Sequence, residues 1–179
     1  MIFQLFKSPN FKIFKSITLN NNKMKKVLIA LDYDPTAQIV AEIGYAFAKD
    51  MGAEVTLLHV IADVVYYSST EYSPIMGFNG YLETFPLELG TVEGLTKASQ
   101  HFLNKSKHHL NDEHIQTLVK EGEFSETILK AAKETHADLL VMGSHSKRWL
   151  ENILLGSVTQ KVLNHSTIPL LIVPTKKHN

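Results

Sequence analysis

The residues best placed to do chemistry lie in the last quarter of the chain. Gly143 closes an apolar run, Asp138-Leu139-Leu140-Val141-Met142-Gly143; after two intervening residues comes Ser146, and after nine more the pair Gly156-Ser157. A glycine at a strand end lets a ligand approach the backbone. A Gly-Ser pair at a helix start offers unpaired N–H groups, a hydroxyl and the positive end of the helix dipole, which together suit an anion and most naturally phosphate. The chain's one arginine, Arg148, sits beside Lys147 in the same stretch. A second polar group, Asp32, follows the apolar run Val27-Leu28-Ile29-Ala30-Leu31. Plainer readings accompany each: Ser157 as a helix N-cap, Asp32 as a turn residue ahead of Pro35, Lys147 and Arg148 as solvated charges, Trp149 as packing.

Such groups act together only if elements deliver them to one place. The Val27–Leu31 run suits a strand buried on both faces. Pro35 then fits the first turn of a helix, with Asp34 as its N-cap. An apolar stripe of Val40, Ile43, Phe47 and Met51 ends at Gly52. Val55–Ile61 is a second buried strand, completing a βαβ unit. Residues 62–90 contain Pro74, Gly77, Gly80, Pro86 and Gly90 and four of the six tyrosines, Tyr66, Tyr67, Tyr72 and Tyr81. So long a connection inside a domain is characteristic of a lid, a partner contact or a mobile segment. A helix over about Thr91–Leu110 follows, then a strand near His114–Lys120. A third helix opens after Gly122-Glu123-Phe124-Ser125 with Ile128, Ala131 and Ala132 inward. The strand ending at Gly143 comes next, then a helix from Gly156-Ser157 with Val158 and Val162 on one face. Pro169 introduces a last strand, Leu170–Val173. Strands alternating with helices predict an α/β fold: a three-layer sandwich on an open five-stranded parallel sheet, Rossmann-like. In such sheets ligands sit beyond the carboxyl ends of the strands, which is where Asp32 and Gly143 fall.

Composition narrows the function. The 179 residues carry 18 basic and 18 acidic side chains, a net charge of zero, and no cysteine. Thiolate catalysis, a disulfide scaffold and Cys-ligated zinc are therefore excluded. The zero conceals two unlike parts. Lys7, Lys12, Lys15 and Lys23 precede Met24 and no acidic residue precedes Asp32, so the remainder has 14 basic against 18 acidic residues, a net −4. An acidic domain argues against a nucleic-acid partner. No apolar run approaches membrane-spanning length, and lysines interrupt any signal-peptide core in residues 1–23. These are read as an N-terminal extension, flexible or loosely docked, before a domain over 24–175 and a tail at 176–179; a cytoplasmic setting is expected. Nine histidines are present, yet no clear metal-ligand set emerges from their spacing: His101, His108 and His109 share one predicted helix, but His101 and His108 are two turns apart and lack a clear third ligand, and His59 reads as a satisfied core residue. No P-loop, dinucleotide fingerprint or nucleophile elbow occurs, and no acid–base pair can be placed, so an efficient enzyme is not expected.

With these residues in view, the chain from 24 to 175 resembles the universal stress proteins. The matching segments are Val27–Asp32, Leu57-Leu58-His59-Val60, Gly122 with Glu126–Ile128, Ala137–Gly143, Gly156-Ser157-Val158 and Ile168-Pro169-Leu170-Leu171-Ile172-Val173-Pro174. The resemblance implies strand order 3-2-1-4-5, and ATP as ligand, with or without Mg²⁺. Family members that bind ATP carry glycine, two residues, glycine, nine residues, then glycine with serine or threonine; here the middle glycine is Ser146. Its Cβ could crowd a phosphate, or its hydroxyl could donate to one. The resemblance implies that Asp32, with Ala30 and Leu31, meets the adenosine end and that the Val60 backbone reads adenine. It places Met142, Gly143, Ser146, Gly156 and Ser157 around the phosphates, with His145 and the Val158-Thr159 backbone nearby. It also implies a homodimer formed through Leu170–Val173 as an edge strand. A member that binds no nucleotide and acts through protein contacts, and a slow ATPase, stand as alternatives.

Overall fold

The computed structural model describes residues 12–13, 24–62, 91–144 and 156–175. Within them the five expected parallel strands are present: β2 (Lys26–Ala30), β3 (Glu54–Ile61), β4 (Gln116–Glu121), β5 (Leu139–Gly143) and β6 (Leu170–Val173). Numbered among themselves, they lie in order 3-2-1-4-5, as the resemblance implies. A sixth strand was not foreseen. Residues Lys12–Ile13 form β1, antiparallel to β6 and outside it. Strand β6, expected at the edge, therefore has a neighbour on both sides.

The strands form because their side chains have an apolar layer on each face. Val27, Leu28 and Ile29 in β2, and all four residues of β6, are no more than 3% exposed. Helices α1 (Ala37–Met51) and α2 (Val92–His109) cover one face, where Val40, Ala41 and Leu103 meet Ile29, Leu57 and Val141. Helices α3 (Phe124–Glu134) and α4 (Ser157–His165) cover the other, where Ile128, Ala132 and Val162 meet Leu28, Leu58 and Leu140. This is the three-layer α/β arrangement that alternating strands and helices dictate.

Two details of α1 depart from the sequence reading. Its buried residues are Ala37, Val40, Ala41, Gly44 and Ala48, while Ile43, Phe47 and Met51 are partly buried at its margins. The reason is distance: a Cβ on Gly44 would lie 2.8 Å from Ile29 Cδ1 and 3.1 Å from Val141 Cγ1, so small residues face the sheet and large ones flank them. The N-cap position is Thr36 rather than Asp34. Asp34 instead accepts from the Thr36 N–H and hydroxyl at 2.9 and 2.7 Å, an Asx-type turn just before the helix. The helix stops at Gly52, in the left-handed conformation at φ 64°, as the glycine there implies.

At the amino ends of the strands, Asp138 accepts from the Lys25 and Lys26 N–H groups at 2.7 and 3.0 Å, aligning β2 with β5. The opposite, carboxyl, ends carry the polar residues singled out above. Among the described residues no helix is long and apolar enough to cross a membrane.

Candidate functional site

Chain order reverses at β2: the chain moves outward through β3 and β4, then returns to place β5 on the other side. The crevice beyond β2 and β5 is therefore the topological switch point. Register sets its walls. Ala30 is level with Met142 on one flank and with Leu58 on the other, so the segments beginning at Leu31 and Gly143 leave the sheet side by side. The Leu31 N–H still donates to Leu58 O at 2.9 Å, keeping the chain on the sheet up to the exposed Asp32. Leu31, Val60 and Met142 have their side chains in the core at about 5% exposure. They can offer a ligand only backbone groups.

The other wall is built around a residue that pattern reading passed over. Ser144, 4% exposed, uses its N–H, carbonyl and hydroxyl in three directions. The N–H donates to Val173 O at 2.9 Å, the carbonyl accepts from the Gly156 N–H at 3.0 Å, and Oγ accepts from the Thr175 N–H at 3.2 Å. It thus fastens the end of β5 to the end of β6 and to the start of α4. It had been only spacer between Gly143 and Ser146, and nothing in the spacing marks it. Thr159 adds a fourth tie, donating from Oγ1 to Gly143 O at 3.0 Å. Gly143 itself is closely surrounded: a Cβ there would stand 3.1 Å from Thr175 Cγ2 and 3.3 Å from Val40 Cγ2.

Thr159 is 2% exposed and its bond is replaceable only by another donor. Thr159→Val keeps the shape and removes the hydroxyl, leaving Gly143 O without it. A loss of about 1–2 kcal/mol is expected, read as a lower urea midpoint at unchanged m-value. An unchanged midpoint would mean that the contact contributes nothing.

The start of α4 differs from the plain reading of Ser157. The N-cap is Gly156, at φ −59° and ψ 155°, and Ser157 is the first helical residue. Among the described residues no side-chain bond caps this end. The N-terminal N–H groups of α4 have no capping side chain from Gly156 or from the other described residues. The contrast with α2 and α3 is informative. Thr91 Oγ1 accepts from the Gly94 N–H at 3.1 Å. Glu123 accepts from the Glu126 N–H at 2.8 Å. Glu123 also accepts from Ser125 Oγ at 2.6 Å and Lys161 Nζ at 3.2 Å, and these bonds, the one from Ser125 foremost, pull its carboxyl down to about 2. So the α4 lysine nearest its first turn is engaged with α3.

His59 supports the Asp32 wall from inside. Its Nδ1–H donates to Leu31 O at 2.7 Å, since a carbonyl can only accept, and Nε2 has no hydrogen-bond partner among the described residues. The satisfied core histidine expected from the sequence is thus satisfied on one nitrogen. The ring lies 4.1 Å from Tyr33, whose hydroxyl donates to Ser99 Oγ at 2.7 Å, and 5.7 Å from Phe102. Burial pushes the imidazole down to about 4, so it is neutral at pH 7. Tyr33 and Ser99 are 66 residues apart, and no local pattern could have joined them.

The site therefore brings together Ala30, Leu31, Asp32, Met142, Gly143, Gly156, Ser157, Val158 and Thr159, with Val60 two residues beyond Leu58 in β3. His145 and Ser146, with Lys147, Arg148 and Trp149, lie outside the described residues, as does 63–90. Among the described residues no three His, Asp or Glu side chains are grouped to hold a metal ion.

Known proteins of the same kind are readily found. A family model described as the universal stress protein family matches residues 23–174. Universal stress protein MJ0577 of Methanocaldococcus jannaschii is 34% identical over 157 residues, covering 85% of this chain and 96% of that protein. Universal stress protein YxiE of Bacillus subtilis is 30% identical over 150 residues, covering 83% and 97%. The solved structure of MJ0577 superimposes with a TM-score of 0.63 at 31% identity, over 88% of this chain and all of that one. A universal stress protein crystallised in complex with cAMP gives 0.60 at 18% identity, over 87% and 100%, a likeness of fold.

Proposed function

The chain belongs to the universal stress protein family, and we propose that within it the protein is an ATP-binding, nucleotide-responsive stress factor acting as a homodimer. The observation that carries this reading is the start of α4. Among the described residues its N–H groups have no capping side chain, the N-cap Gly156 carries none, and Ser144 and Thr159 tie this helix start to the end of β5. A phosphate chain at that position would receive N–H donors and the positive end of the helix dipole. Asp32, across the switch point, would accept from the ribose hydroxyls. The Val60 backbone would read the adenine edge. A relative of the same fold has been crystallised with cAMP, which supports an adenine nucleotide as the ligand class.

Nucleotide would act by population shift. The segments 63–90 and 145–155 begin at the carboxyl ends of β3 and β5, on the border of the site. A ligand that contacts one arrangement of them better than another shifts the balance by that difference in affinity, and a partner reads the result. The reading is one of binding, and turnover is left to the test below.

The test has two steps. Denaturing the purified protein and separating the supernatant by chromatography should release adenine nucleotide. Titrating the emptied protein with ATP, with and without Mg²⁺, should then show saturable binding tighter than about 1 mM. The absence of both released nucleotide and such binding would overturn the reading in favour of a member working through protein contacts. Steady release of phosphate from ATP would favour the slow ATPase instead.

A further inference from the structure

Strand β6 is the sheet's last parallel strand, and its outer flank is already taken. The two residues of β1 lie antiparallel on it, Lys12 opposite Ile172 and Ile13 opposite Leu171. The hydrogen-bonding direction of β6 follows from its other side. The Leu140 N–H donates to Pro169 O at 3.0 Å and the Ser144 N–H to Val173 O at 2.9 Å, so Pro169 and Val173 turn toward β5. Alternation then turns the N–H and C=O of Leu170 and Ile172 outward. Lys12 faces Ile172 and is thus at the hydrogen-bonded position of the antiparallel pair, while Ile13 and Leu171 form the non-bonded one.

The chain has the length to reach this edge in its own molecule. From β2 outward to β1 is three strand spacings, roughly 14 Å. Ile13 stands level with Leu171, hence with Val141 and Ile29, about 17 Å along the strand direction from Met24. The eleven residues from Ile13 to Met24 span up to roughly 36 Å when extended. Charge favours the same outcome. Residues 1–23 carry four lysines and no acid, and the rest of the chain is net −4, so the arm is attracted where a second such body is repelled. The family match begins at residue 23 and leaves this arm outside it.

We infer that the arm is an intramolecular competitor for the β6 edge: β1 occupies the backbone groups of Ile172 that a second copy would need, and pairing through Leu170–Val173 requires the arm to leave. The first half of this inference stands on the β1–β6 register alone; the second rests on the homodimer reading proposed above. A tethered segment acts at an effective concentration of order millimolar, far above a second copy at micromolar concentration. Because two edges must be free at once, an arm docked nine-tenths of the time weakens the dimer about a hundredfold.

The experiment uses the full chain and two variants. Lys12→Pro removes the N–H that faces Ile172, whereas Lys12→Ala removes only the side-chain charge and keeps it. Sedimentation equilibrium reads association, and amide hydrogen exchange at Ile172 in dilute solution reads whether the arm is on the edge. Circular dichroism and urea midpoints verify that each variant remains folded. The expected result is faster Ile172 exchange in Lys12→Pro together with at least tenfold tighter self-association, while Lys12→Ala stays within about threefold of the parent. Identical Ile172 exchange in parent and Lys12→Pro overturns the inference at its first half. Faster exchange without tighter association overturns the competition and removes the β6 edge as the dimer surface, while leaving nucleotide binding to its own test. An Ala variant that behaves like the Pro variant overturns strand pairing in favour of charge alone.

Discussion

Lowering the pH from 7 to about 4.5 is expected to cost the folded protein about 2 kcal/mol through His59 alone. The imidazole is 3% exposed, its Nε2 has no hydrogen-bond partner among the described residues, and burial brings its pKa from 6.5 to about 4. The direction follows from proton binding. Above pH 6.5 the side chain is neutral whether the chain is folded or not, and it adds no pH dependence. Between 6.5 and 4 the unfolded chain takes up a proton that the native ring refuses, so stability falls with pH and levels off only below 4. One pKa unit corresponds to about 1.4 kcal/mol, and burial this complete leaves little solvent screening to discount. The carboxylates enter only at the acid end of this window. Glu42, Glu93, Asp112, Glu123 and Glu134 all have pKa values lowered from 4.5 or 3.8, so the stability they contribute is present above those values and begins to be lost near pH 4.5. His59→Asn provides the control, because its amide N–H can replace Nδ1–H at Leu31 O and does not titrate. The variant starts about 1–2 kcal/mol less stable at pH 7, from the lost ring packing against Tyr33 and Phe102. Its urea midpoint should then fall less than that of the parent between pH 7 and 4.5, the carboxylates acting equally in both. Parallel slopes for the two proteins would show that His59 is not the buried neutral group described here.

Which parts of this could be read in advance follows from what each part depends on. Strands β2, β3, β5 and β6 were legible because they are buried on both faces, and continuous apolar runs such as Val27–Leu31 and Leu170–Val173 are how such strands look in sequence. Helix α1 was legible in position and not in orientation. Hydrophobicity alone put Ile43 and Phe47 inward, whereas closeness to the sheet put Gly44 and Ala48 there. A residue's size selects a face only once the distance to the partner layer is known. Strand β1 could not be foreseen at all: two residues have no period, and its partner lies about 160 positions away in the chain. For the site, Asp32, Gly143 and Gly156-Ser157 were found from residue type and strand-end position, and the fold brings them to the switch point. The roles within the pair were exchanged. Gly156 is the cap and Ser157 begins the helix, because the Gly156 N–H is already committed to Ser144 O and the helix opens after it. Ser144 was missed since its contribution is three ties, two from its backbone to Val173 and Gly156 and one from its hydroxyl to Thr175, all set by tertiary contact.

The capping arrangement yields a prediction in which stability and ligand binding move in opposite directions. Gly156 has φ −59° and ψ 155°, the extended geometry that serine, threonine, asparagine and aspartate adopt when they cap helices. Glycine is therefore not demanded by the backbone. A helix selected only for stability would carry an oxygen-bearing side chain here, as α2 does with Thr91 and α3 with Glu123. Gly156→Asp supplies that oxygen. Its carboxylate can accept from the N–H groups of Val158 or Thr159 and meets the positive end of the helix, so the emptied protein should become more stable by a few tenths of a kcal/mol, up to about 1. The same carboxylate occupies the position proposed for phosphate and repels it. Like charges brought together across an interface cost several kcal/mol, so ATP affinity should fall at least a hundredfold. Gly156→Asn separates the two effects: it caps without charge, and it should weaken ATP through occupancy alone and therefore less than the aspartate does. The measurements are urea midpoints of the emptied proteins and ATP titrations of the same samples. Higher stability with unchanged ATP affinity would place the phosphates away from α4 and defeat the proposed site. Lower stability in both variants would instead mean that Gly156 is required for close packing against the Ser144 carbonyl.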